Sequence, residues 1–157
     1  MTRLAVLRSP APTLREPSVE VPVSAIKTPR MEKLVADMVE TMKLENGVGI
    51  AAPQVGVNER VIIVETGAGP EAFVNPVITR RSLRKADSEE GCLSVPGVYG
   101  IVKRHKGIRV EALNANGEKI ALDVKGFPAI IFQHEIDHLD GILFVDRVER
   151  YTQAPKL

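Results

Sequence analysis

The sequence predicts an α+β fold: antiparallel β-sheets packed around a central helix bearing an HExxH motif, with another helix toward the N terminus. Three observations predict it. Apolar residues recur at helical spacing between Met31 and Met42. Short β-branched runs punctuated by Gly and Pro fill residues 60–125. A second helical stretch follows over Ala129 to Leu139. Helix, several strands, then helix is the order of an α+β protein rather than of alternating βαβ units.

Each element has its own signals. Residues 9–30 hold five prolines (Pro10, Pro12, Pro17, Pro22, Pro29), so this stretch reads as extended and loop-like. Thr28 is placed to cap a helix with Pro29 in its first turn. Met31, Leu34, Val35, Met38 and Met42 give that helix one apolar face, read as packed core, and Asn46-Gly47 ends it. Val61–Val64 and Phe73–Ile78 read as strands, and Ile108–Ala112 alternates. Asn116-Gly117 before Glu118–Leu122 reads as a hairpin turn. Gly126-Phe127-Pro128 leads into the late helix, and Gly141 is a plausible stop.

The 157 residues suit one domain, 1–157, long enough to bury a core without disulfide staples. Apolar (44%) and charged (26%) fractions are those of a globular chain rather than a disordered one. The net charge is +1. No basic run suggests a nucleic-acid partner; Lys103-Arg104-His105-Lys106, the densest cluster noted, reads as a solvated strand or turn, with His105 at the surface. One cysteine excludes an internal disulfide and suits a reducing compartment. The N-terminal apolar run is too short for a signal-peptide core, and no run approaches a membrane span. A cytoplasmic location is expected.

The strongest chemical signal is His134-Glu135-Ile136-Asp137-His138. Histidines at i and i+4 share a helix face, so both rings can reach one metal ion, and Glu135 can serve as general base on a water held there. Phe127, Ile130 and Ile131 extend the apolar surroundings toward the N terminus, so an unliganded pair would be buried without partners, which is costly. A catalytic site needs a third protein ligand. The metzincin scheme would put histidine at position 144, where this chain has Phe144. The gluzincin glutamate would come from a later helix, and Glu149 is too close for that.

Cys92, within Glu90-Gly91-Cys92-Leu93-Ser94-Val95-Pro96-Gly97, is the remaining candidate. Two imidazoles and a thiolate suit zinc or ferrous iron, although a lone cysteine is often only a buried structural residue. Pro96-Gly97 is read as ending this segment. Gly47-Val48-Gly49-Ile50-Ala51-Ala52-Pro53-Gln54 allows close backbone approach to a ligand, and Gln54 could donate to an oxyanion. Alone, it reads equally as a glycine-rich connection.

Together the three ordered segments resemble the motifs of peptide deformylases, over nearly the whole chain. The resemblance implies removal of the formyl group from the initiator methionine of nascent polypeptides. It implies one divalent metal, ferrous iron natively, with zinc, nickel or cobalt able to substitute, held by Cys92, His134 and His138. Glu135 becomes general base and then acid, while Gln54 and the Leu93 N–H stabilise the oxyanion. Val48, Phe127, Ile130 and Ile131 would line the methionine pocket, and Gly49 would pair with the peptide as a strand does. Glu90, Gly91 and Tyr99 join the substrate side, with Glu90 also able to pair with Arg104 beside the site. Many relatives carry arginine where this chain has Tyr99, a position that grips the peptide. The tail Tyr151–Leu157 lacks the basic helix with which some members dock on the ribosome, so any ribosome contact is expected to be transient.

Overall fold

The computed structural model describes residues 1–153. Two short elements interrupt the proline-rich start, a 3-10 turn at Pro12–Arg15 and a single helical turn α1 (Val23–Ile26). Helix α2 (Pro29–Leu44) begins where Thr28 Oγ1 accepts the Met31 N–H, and closes as Asn46 turns left-handed and Gly47 N–H reaches Met42 O. Strands β1 (Gly49–Ala51), β2 (Val61–Thr66), β3 (Gly69–Arg81), β6 (Gly107–Leu113) and β7 (Lys119–Lys125) form an antiparallel sheet in the order β1-β2-β3-β6-β7. Strands β4 (Lys85–Cys92), β5 (Val95–His105) and β8 (Val148–Gln153) form a second, ordered β4-β5-β8. Helix α3 (Phe127–Leu139) packs between them, as the α+β reading expected.

Strand β2 explains why the core needs two helices. Its run Val61-Ile62-Ile63-Val64 is buried throughout, because successive side chains point to opposite faces. Val61 and Ile63 pack toward Met31, Leu34, Met38 and Met42 of α2. Ile62 and Val64 pack toward Ala129, Ile131, Phe132, Ile136 and Leu139 of α3. The methionine face is therefore core.

Two sequence expectations are corrected. Pro96-Gly97 does not end the cysteine segment: only the tight turn after Cys92 does, and β5 runs through Pro96 to His105. Phe73–Ile78 does fall within a strand, β3, which bulges near Asn75, a residue with φ +50° whose side chain holds both backbone groups of Val21. His105 is half-buried rather than superficial: its Nδ1 meets Ser82 O at 2.7 Å, and Gln133 of α3 bonds its N–H and C=O. The tail forms strand β8 up to Gln153, and residues 154–157 of the tail lie outside the described residues. No helix among the described residues is long and apolar enough to cross a membrane.

Candidate active site

Strands β4 and β5 form one side of the site, with Ser88 and Glu90 of β4 and Val98, Val102 and Arg104 of β5 buried. Glu90 opposes Gly100 and Ser88 opposes Val102 across the ladder, with a bulge just before Cys92. Helix α3 presents His134 and His138 from the other side. Cys92 Sγ lies 3.4 Å from His138 Nε2, and the three potential ligand atoms of Cys92, His134 and His138 all lie within 4.8 Å of one another. A tetrahedral ion with ordinary sulfur and nitrogen bond lengths would separate those two atoms by ~3.5 Å, so the donor set fits a metal.

The first ring of partners orients these ligands. His134 Nδ1 meets Glu90 Oε1 at 2.9 Å, which leaves its Nε2 for the ion. Arg104 grips Glu90 with two bonds of 2.8 Å and reaches Asp137 Oδ2 at 2.7 Å. Burial pushes the Glu90 carboxyl up, but the hydrogen bonds from Arg104 and His134 outweigh it and hold its pKa at about 2. Glu90 is thus an anion with both oxygens engaged, only 6% exposed. It borders the cleft, with its oxygens taken by Arg104 and His134. Phe144, standing where a third histidine would be in a metzincin, stacks on the His134 ring at 6.2 Å.

Glu135 points elsewhere. Its Oε1 is buried without a hydrogen-bond partner, and burial raises its pKa to about 7. An orphaned carboxyl with that affinity suits proton transfer near neutrality. Gly49 explains how it fits: a Cβ there would lie 2.6 Å from Glu135 Oε2. Any other residue at 49 would displace the carboxylate.

Gln54, fully buried, ties two segments together. Its Oε1 accepts the Ala51 N–H at 2.9 Å, and its Nε2 approaches Cys92 Sγ at 3.6 Å and Ser94 Oγ at 3.1 Å. The amide N–H pair therefore faces Cys92 and Ser94.

A cleft of about 560 Å³ opens over these groups, lined by Val48, Gly49, Gln54, Gly91, Cys92, Leu93, Tyr99, Phe127, Ile130, Ile131, His134 and Glu135 among others. Strands β1 and β4 are both sheet edges and both border it, so unpaired strand edges flank the cleft on either side. Val48, Tyr99 and Phe127 are exposed at its mouth. Tyr99 lies flat over Gly91, where a Cβ would sit 2.5 Å from its ring. Every site residue singled out from the sequence thus gathers at one place; all line the cleft except His138, which lies beneath it against Cys92, 1% exposed. Sequence reasoning missed Asp137, Ser94, Phe144 and Arg147. Asp137 alone had a signal, at i+3 from His134 on the same helix face.

A cysteine and two histidines converging on a cleft beside an unpartnered carboxyl define a metal-dependent hydrolase. Its family follows from likeness to known proteins. A model of the family "Polypeptide deformylase" matches residues 3–154. A peptide deformylase of Desulforudis audaxviator is 47% identical over 148 residues, 94% of each chain. One from Neisseria gonorrhoeae is 46% identical, covering 98% of this chain and 92% of its own. A solved class I type b peptide deformylase of Acinetobacter baumannii, with Met-Ala-Ser bound, superposes with TM-score 0.89 at 38% identity, over 94% of this chain and 99% of its own. The chain belongs to the peptide deformylase family and is an enzyme of that kind.

Proposed function

We propose that the chain, working as one domain, hydrolyses the formamide at the start of formyl-methionyl nascent peptides. The observation that carries this reading is the Cys92–His134–His138 cluster with the unpartnered Glu135 beside it. The Met-Ala-Ser seated on the Acinetobacter protein is what deformylation of formyl-Met-Ala-Ser would leave.

Cys92, His134 and His138 hold one divalent ion, ferrous iron natively, with zinc, nickel or cobalt able to replace it. Such an ion would supply Lewis acidity toward the formyl oxygen and the attacking water. Glu135 takes a proton from the attacking water as its oxygen joins the formyl carbon. The same carboxyl returns that proton to the amine nitrogen as the C–N bond breaks, leaving formate and a free methionine terminus. Gln54 Nε2 and the Leu93 N–H donate to the oxyanion. Val48, Phe127, Ile130 and Ile131 enclose the methionine side chain, while the Gly49 and Gly91 backbones hold the peptide extended. Glu90 and Arg104 fix the His134 ring. The enzyme works in the cytoplasm, with any ribosome contact transient.

The test is a coupled assay of formate release from formyl-Met-Ala-Ser, with the chain loaded with iron anaerobically. Turnover that disappears with a chelator and returns with the ion supports the reading. No release from a fully loaded chain overturns it.

A further inference from the structure

The turn after α3 touches the metal site twice. Phe144 stacks on His134, and Arg147, three residues on, holds Asp137 through Nε at 2.8 Å and Nη2 at 3.1 Å. Asp137 in turn holds Arg104, Arg104 holds Glu90, and Glu90 meets His134 Nδ1. The charges alternate along the row, with two guanidinium groups and two carboxylates ahead of the imidazole. Two of the links are forks, in which a planar guanidinium engages both oxygens of a carboxylate and so fixes orientation as well as distance. Arg104 is 3% exposed, whereas the Arg147 side chain is 44% exposed. Arg147 is therefore the most exposed link of the row.

We propose that Arg147 is a positioning residue for the metal centre: by clamping Asp137 it keeps Arg104 turned toward Glu90, and thereby keeps the His134 ring aimed at the ion. Without the clamp, the Asp137 carboxylate is free to draw Arg104 away from Glu90. This inference rests on the metal-hydrolase reading. An exposed ion pair contributes little to global stability, so its effect is local to the site.

The experiment uses the full chain loaded with cobalt(II), and follows release to excess chelator together with the visible spectrum of the cobalt–thiolate centre. Replacing a direct partner of a ligand typically costs 10–100-fold in affinity, and Arg147 is further out, so Arg147→Ala should speed release by about 3–10-fold. It should also shift the cobalt bands while leaving the melting temperature of the metal-free chain nearly unchanged. Arg147→Lys keeps the charge but not the fork, and should fall between. Arg15→Ala is the control, because Arg15 pairs with Asp146 on the same turn but outside the row. Release from Arg147→Ala at the parent rate, or equal acceleration by Arg15→Ala, overturns the inference. A parent chain that takes up no cobalt overturns the metal reading instead.

Discussion

The five-stranded sheet and the three-stranded sheet face the same helix but are joined to it by different forces. On the large-sheet side, Ile62, Val64, Phe73, Ile108 and Val110 meet Ala129, Ile131, Phe132, Ile136 and Leu139, with Phe73 and Phe132 edge to face at 4.8 Å. On the small-sheet side the apolar cluster shrinks to Val98, Val102 and Phe144, and its neighbours Glu90 and Arg104 are buried and charged. Burial of apolar area is undirected and tolerant of exchange, whereas a buried ion pair tolerates little change in geometry. The small sheet gives up easy packing to hold ligand geometry. The molecule therefore has a face of α3 that stabilises and a face that performs chemistry.

The largest test of that division is on the chemical face. Cys92→Ala or His134→Ala should abolish tight metal binding; full occupancy in both variants would sink the ligand assignment. Glu135→Gln should keep the metal, because Glu135 is not a ligand, yet lose 10²–10⁴ of turnover, the range of general acid–base catalysis. Metal analysis and the formate assay on the same preparation read both. Activity within a few-fold of the parent removes Glu135 from the chemistry.

The stabilising face should respond in the opposite way. Phe132→Ala empties a fully buried site and should cost about 3–5 kcal/mol of stability. Metal stoichiometry at low temperature should stay at one per chain. Urea unfolding with metal analysis decides it, and loss of the ion before any unfolding would show that the two faces are not separable.

Glu90 sharpens the contrast because its stabilisation is electrostatic. Its pKa is depressed in the folded chain, from an ordinary 4.5 to about 2. Stabilisation from such a group is present above the unfolded value and lost as pH falls through the folded one. In the metal-free chain, Glu90→Gln should then cost on the order of 3 kcal/mol at pH 7. The gap to the parent should narrow by more than half by pH 3 and close near pH 2. A gap of equal size at pH 7 and pH 3 would mean that shape, not charge, holds Glu90.

The same division decides what the sequence could disclose. The large sheet and both long helices follow from local periodicity: an unbroken Val-Ile-Ile-Val run, a methionine stripe, a capping Thr-Pro. The motif residues were legible because their types are rare together. The small sheet was not. Strand β4 reads Lys-Ala-Asp-Ser-Glu-Glu-Gly-Cys, with buried positions occupied by Ser88 and Glu90, so no hydrophobic alternation marks it. Strand β8 is exposed along most of its length. Asp137 and Arg147 carry no signal as a pair, since the bond between them exists only once the turn at Phe144–Asp146 folds back. Polar networks are long-range facts, and the local pattern does not contain them.

The smallest effect expected is at the cleft mouth, where neither face of α3 decides. Arginine at position 99 would offer a charged fork to the bound peptide; Tyr99 offers a hydroxyl and a flat ring resting on Gly91. The basic residues nearest in sequence do not line the cleft: Arg104 is bound to Glu90 and Asp137, and Lys103 pairs with Asp87. Among the residues lining the cleft, Arg8 is the one with a cationic side chain of the Lys/Arg type. It is exposed, and its flanking amides are anchored by Leu7 N–H to Gln54 O and Ser9 N–H to Ser94 O. Little discrimination is expected between a short formylated peptide and its C-terminal amide. Tyr99→Arg should lower KM for the free acid preferentially and leave kcat almost unchanged, as uniform binding requires. The contact is exposed, so the gain should be about 1 kcal/mol or less and should fade with added salt. KM for acid and amide, in the parent and in Tyr99→Arg, is the measurement. A strong preference for the acid already in the parent, removed by Arg8→Ala, would show that the N-terminal arm supplies the grip that Tyr99 does not.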